Sequence, residues 1–123
     1  MILGIGIDMV DMARMERLYE RFGERCFGHM LAPGEIAAIP KLVVPYLASR
    51  FAAKEAAVKA LGTGFAFGIT PRQIEVSRDG LGKPTLIFHG EAMNRASQLG
   101  ATAFHLSLTH ERHCAIALVI LED

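Results

Sequence analysis

Asp8 and Glu55 are the two carboxylates whose surroundings point to chemistry. Glu55 follows Phe51 by four residues and precedes Val58 by three, so on a helix it interrupts the face those apolar side chains should bury. A partly buried carboxylate needs a cation. One source is Lys59 at i+4, in the favoured Glu-then-Lys order, a pair that contributes about 0.3–0.5 kcal/mol when exposed. Another is a metal. Asp8 ends the apolar run Ile2 to Ile7, where its side chain can reach over a sheet edge towards a packed helix. Its structural alternative is to cap the helix that follows, a role for which Asp11 competes. Two such oxygen donors, with positions left for water and phosphate, suit Mg²⁺.

Cations crowd the same stretch. Arg50, Lys54 and Lys59 flank Glu55, Gly62-Thr63-Gly64 follows, and Lys83 stands in a second turn, Gly82-Lys83-Pro84. Glycine turns let backbone approach a polyphosphate and basic side chains neutralise it, although solvated lysines on an alanine-rich helix and an ordinary turn give the same pattern. Arg14, Arg17, Arg21 and Arg25 fall at intervals of 3, 4 and 4 on one helical stripe. They either dock an acidic partner or pair with the interleaved Glu16, Glu20 and Glu24. His105 alternates with Phe104 and Leu106 and so takes the opposite strand face, where it meets a phosphate, an adenine or only water. Neither His105, His110 nor His113 has a partner at zinc-ligand spacing, and no Ser-His-Asp or Cys-His arrangement follows from spacing.

The elements that must position these groups follow from periodicity. Ile2 to Ile7 reads as a strand with alternate glycines, closely approached by other backbone. Met12, Met15, Tyr19 and Phe22 line one face of a helix begun at Asp11 and stopped near Gly23. A prolyl stretch, 28 to 45, carries a short helix around Glu35 to Ile39, and the strongest helix runs from Tyr46 to Leu61. Strands at 74–77 and 85–88 flank a glycine loop, a helix covers 91–99, and two antiparallel strands joined near Glu111 finish the chain. The sum is an α+β fold, with helices on one face of a mainly antiparallel sheet, in one domain over residues 1–123.

The bulk numbers bound the function. At 123 residues, 51% hydrophobic and 21% charged, the chain is neither disordered nor able to cross a bilayer, since no apolar run approaches about 20 residues. Its 13 basic and 13 acidic side chains cancel, which argues against a nucleic-acid coat. No leader pattern precedes the first strand, so a cytoplasmic protein is expected, with Cys26 and Cys114 as free thiols.

Taken in order, Gly4-Ile5-Gly6-Ile7-Asp8, Arg50-Phe51-Ala52-Ala53-Lys54-Glu55-Ala56-Ala57-Val58-Lys59-Ala60, Gly62-Thr63-Gly64, Gly82-Lys83-Pro84 and His105-Leu106-Ser107-Leu108-Thr109-His110 span nearly the whole chain. Together they resemble the bacterial holo-acyl-carrier-protein synthases, a branch of the 4'-phosphopantetheinyl transferases. The resemblance implies that family's fold and the transfer of phosphopantetheine from coenzyme A to a serine of an acyl carrier protein, in support of fatty acid biosynthesis. It implies Asp8 and Glu55 as ligands of Mg²⁺, and Glu55, Lys59 and His110 as catalytic. It places Arg50, Lys59 and Gly62 to Gly64 along the coenzyme A phosphates, Lys83 and Pro84 beside the adenine nucleotide with His110 near its 3'-phosphate, His105 among the coenzyme A contacts, and Arg14, Arg17, Arg21 and Arg25 against the carrier. It further implies a homotrimer with sites at subunit interfaces. A hydrolase of the same pyrophosphate and a noncatalytic carrier-binding module are the rival readings.

Overall fold

A computed structural model describes all residues from Met1 to Asp123. In chain order the elements are β1 (Ile2–Asp11), α1 (Met12–Phe22), α2 (Phe27–Met30), α3 (Pro33–Ala37), α4 (Val43–Leu61), β2 (Ile74–Arg78), β3 (Pro84–Phe88), α5 (Gly90–Leu99), β4 (Ala103–His110) and β5 (Cys114–Glu122). The α+β class is as expected, but the strands divide into two antiparallel sheets, one ordered β1-β5-β4 and the other the hairpin β2-β3. The sheets meet where Phe88 packs on Phe104, with ring centroids 4.7 Å apart.

Pairing with β5 carries β1 past the apolar run. Asp8 pairs with Ala117, Val10 with Ala115 and Asp11 with Cys114, so Asp8 lies inside the strand and does not end it. By alternation it shares a strand face with Gly4, Gly6 and Val10, and that face lies on α4. Asp11 takes the capping role, its carboxylate accepting from the Arg14 backbone N at 2.9 Å.

The glycines of β1 set how near the helix comes. A Cβ built on Gly6 would stand 1.8 Å from the Ala56 carbonyl oxygen, and one on Gly4 would stand 2.1 Å from that of Ala60. The obstacle is helix backbone, which cannot rotate away as a side chain does. Small residues on α4 complete the contact, with Ala52, Ala53, Ala56 and Ala57 all fully buried. Gly6→Ala is therefore expected to lower stability by about 1–3 kcal/mol by forcing the two elements apart. An unfolding midpoint in denaturant equal to that of the parent would show that this close approach does not hold the fold.

Helix α4 begins at Val43, earlier than expected, because Pro45 falls in the first turn, where a helix has no use for its missing N–H. The prolyl stretch before it holds two short helices instead of one, α3 starting at Pro33. From α3, Glu35 turns inward to Lys54 of α4, Nζ to Oε1 2.6 Å, and both side chains are fully buried. Lys54 therefore does not stand among phosphate-binding cations, contrary to expectation. Its ammonium also donates to the carbonyls of Pro71, at 3.0 Å, and of Ile74. Glu35 in turn accepts from the backbone N–H of Ala32, at 2.8 Å, and of Val76, at 3.1 Å.

The other face of the three-stranded sheet is bare. Ile5, Ile7 and Met9 of β1 are 59, 59 and 66% exposed, with Leu118 of β5 beside them. No helix is long and apolar enough to cross a membrane.

Candidate active site

The close approach of β1 to α4 brings Asp8 and Glu55 onto one cleft of about 340 Å³, bordered also by Arg14, Leu18 and Phe51. Lys59, one helical turn after Glu55, does not take the local i+4 pair. Its ammonium donates to Asp8 Oδ1 at 3.0 Å and to the Ile7 carbonyl at 2.9 Å, which clamps helix to strand. Burial pushes the Glu55 carboxyl above the usual range, the Asp8 charge pushes the same way, and Lys59 and Arg14 pull it down more weakly. No third His, Cys, Asp or Glu joins these two carboxylates. Two hard, mutually repelling oxygen donors with room for other ligands fit a divalent cation of the Mg²⁺ type.

Arg14, Arg17, Arg21 and Arg25 are all exposed, and none pairs with the interleaved glutamates. Arg21 instead covers the Phe22 ring at 5.1 Å, and Arg25 Nε donates to the Phe22 carbonyl at 3.4 Å. The stripe thus keeps its charge available and meets the carboxylate cleft at Arg14.

The remaining expected residues lie elsewhere on the chain. Arg50, Pro84 and His110 border a separate cavity of about 590 Å³, and Lys83 is exposed on the adjoining hairpin turn. Gly62 and Thr63 line a third hollow of about 430 Å³ with Phe67 and Arg95; Gly62 and Gly64 take φ of 78° and 60°, as a turn that only glycine adopts easily requires. His105 stands on the open sheet face, its Nε2 2.7 Å from Glu122 Oε1. Arg78 of β2 also borders the 590 Å³ cavity, and no motif singled it out.

The match to known proteins runs over the same span. A family model of the 4'-phosphopantetheinyl transferase superfamily matches residues 4–117. The holo-[acyl-carrier-protein] synthase of Desulfovibrio desulfuricans is 51% identical over 122 residues, covering 99% of this chain and 98% of the relative. The chain belongs to the holo-[acyl-carrier-protein] synthases. The crystal structure of the synthase from Neisseria meningitidis superposes with a TM-score of 0.91 at 38% identity, with both chains fully covered. The synthase of Bacillus anthracis, solved in complex with CoA (3',5'-ADP), is similar at a TM-score of 0.80 and 34% identity, covering 98% of this chain and 96% of that one. In this member, the Asp8–Glu55 cleft lies among β1, α1 and α4, with Arg14 at its border, whereas Arg50 borders a separate cavity.

Proposed function

We propose that this synthase transfers the 4'-phosphopantetheine arm of coenzyme A to a serine hydroxyl of an apo-acyl carrier protein at the Asp8–Glu55 cleft, with those two carboxylates as the ligands of Mg²⁺. The observation that carries the reading is the pairing of the two carboxylates on one cleft that also admits Arg14 of the exposed arginine stripe. The serine belongs to the carrier, which explains why the chain needs no catalytic Ser or Cys of its own. Bound at Asp8 and Glu55, Mg²⁺ would offset negative charge on the pyrophosphate oxygens. Lys59, held by Asp8 and the Ile7 carbonyl, keeps an ammonium beside that charge. Glu55, directly or through a water it orients, receives the serine proton. The serine oxygen bonds to the β-phosphorus, the bridging P–O bond breaks, and its electron pair leaves with 3',5'-ADP.

Arg50, Pro84, Lys83 and His110 would hold the adenine nucleotide, while Gly62, Thr63 and Gly64 would lie along the phosphates. The nucleotide cavity and the carboxylate cleft sit apart on one chain, which supports a site shared between protomers. The bare apolar face of β1 and β5 supports self-association, and the homotrimer is the assembly we infer, in the bacterial cytoplasm and in supply of fatty acid synthesis. His105 on that face would then meet a neighbouring protomer's nucleotide.

Incubated with coenzyme A, Mg²⁺ and an apo-carrier, the protein should add about 340 Da to the carrier, the mass of one phosphopantetheine arm covalently transferred. Chelation by EDTA should stop the gain and Mg²⁺ restore it. Arg17→Glu with Arg21→Glu, both on the stripe but away from the carboxylate cleft, should abolish transfer, whereas hydrolysis of coenzyme A by water would survive that change. Absence of a mass gain across several carriers would sink the proposal.

A further inference from the structure

The turn Gly62 to Gly64 opens a loop, residues 62–68, that its own packing does little to hold. Gly62, Gly64, Ala66, Phe67 and Gly68 are exposed, Phe67 at 82%, and a hollow of about 430 Å³ lies between the loop and α5. Gly62, Gly64 and Gly68 take positive φ, and so does Phe67 at 58°, where a bulky side chain is rare. Backbone of this kind keeps one shape only where its surroundings fix it. Helix α5 fixes both ends. Ahead of the loop, Arg95 Nε donates to the Leu61 carbonyl at 3.0 Å. Behind it, Gln73 Nε2 donates to the Gly68 carbonyl at 2.8 Å, while Oε1 of the same amide accepts from the Ala92 backbone N–H at 3.1 Å. His89, at the start of α5, gives that helix no side-chain cap, and its backbone N–H donates to the Gln73 carbonyl at 2.8 Å. The Gln73 amide thus supplies the cap that α5 lacks and holds the loop with its other end. A carboxylate of the same reach would keep the cap and lose the donor.

We propose that Gln73 is a positioning residue for coenzyme A, which bridges Gly68 to the first turn of α5 and so holds the 62–68 loop in the shape that meets the phosphates. This inference rests on the coenzyme A reading above, in which Gly62, Thr63 and Gly64 lie along those phosphates. A loop already set in its bound shape spares the ligand the ordering it would otherwise have to drive. Releasing the Gly68 end frees backbone that nothing else holds at positive φ. The loss then falls on the grip of coenzyme A and not on the docking of carrier, since none of the four stripe arginines borders this hollow.

Gln73→Glu is the informative variant, because its carboxylate still caps α5 at Ala92 and lacks the donor that holds Gly68. Calorimetric titration of the full chain with coenzyme A should show binding weakened by about threefold to tenfold, the scale of one hydrogen bond, with the melting temperature near that of the parent. Hydrogen exchange at the Ile69 amide, which bonds back to the Ala66 carbonyl of the loop, should quicken by about fivefold or more while the amides of α4 and α5 exchange as before. Gln98→Glu places the same charge on the same hollow without touching the bridge, and should leave coenzyme A binding within about twofold of the parent. Unchanged binding in Gln73→Glu, equal weakening in Gln98→Glu, weakening without faster exchange at Ile69, or a marked fall of the melting temperature overturns the assignment. The carrier mass assay on the same proteins separates the two readings. A carrier that gains no mass from the parent, while coenzyme A binding depends on Gln73, rejects the transferase and leaves the role of Gln73 standing. A gain of mass with coenzyme A binding indifferent to Gln73 rejects the role of Gln73 alone.

Discussion

Asp8→Asn and Glu55→Gln should each lower the rate of phosphopantetheine transfer by about a hundredfold or more, the usual scale for removing an electrostatic stabiliser of a developing charge. Both substitutions keep shape and remove only charge, so the loss should fall on kcat more than on the binding of carrier. The stability of the two variants gives an independent check. Burial and the neighbouring Asp8 raise the Glu55 carboxyl above its unfolded value. A group raised in this way favours folding below its unfolded pKa and loses that contribution as pH rises through the folded one. At neutral pH the Glu55 charge therefore opposes folding, and Glu55→Gln should make the protein more resistant to denaturant while disabling it, as expected of strain kept for function. A variant that is both less stable and inactive would mean that Glu55 serves the fold first. A variant that retains turnover would remove the carboxylate pair from the mechanism and favour a noncatalytic carrier-binding module.

Lys54→Met should be the most damaging change away from the cleft, at about 3–5 kcal/mol, because it leaves the carboxylate of Glu35 buried without its counter-charge. For a chain of this size that corresponds to a fall of the melting temperature on the order of 10–20 °C. The carboxylate would keep the N–H groups of Ala32 and Val76, which satisfy its oxygens but do not neutralise it. Adding Glu35→Gln should recover part of the loss, since the amide carries no charge to strand and its oxygen still accepts from one of the two backbone N–H groups that the carboxylate held. Thermal denaturation of the single and double variants reads both effects. A loss under about 1 kcal/mol for Lys54→Met would show that the pair contributes little beyond packing.

Lys54 and Glu55 are adjacent, and they mark where legibility stops. Glu55 was readable because its intrusion on an apolar face is a local violation of helical periodicity. Lys54 was not, because a lysine on an alanine-rich helix is ordinarily solvated, and its partner Glu35 lies nineteen residues away in a stretch whose prolines blur periodicity. No spacing rule links them. The same limit applies to Lys59, for which the i+4 partner is Glu55. The structure gives its ammonium to Asp8, fifty-one residues away, because the glycines of β1 let α4 approach so closely. Arg78 is a third case: on its own strand it is a charged end residue, and it acquires meaning only beside Arg50 in a carboxylate-free cavity.

The α+β class, α1 with its cap at Asp11, the hairpin and the two closing strands were local matters, written in periodicity, capping and turn residues, and the structure bears them out. The family was legible too, since its motifs lie in short runs along the chain. What only the tertiary structure decided is which charges stand alone and which are matched. That depends on how near two backbones come and on which distant side chains share a cavity, and neither distance is encoded in the spacing of residues along one element.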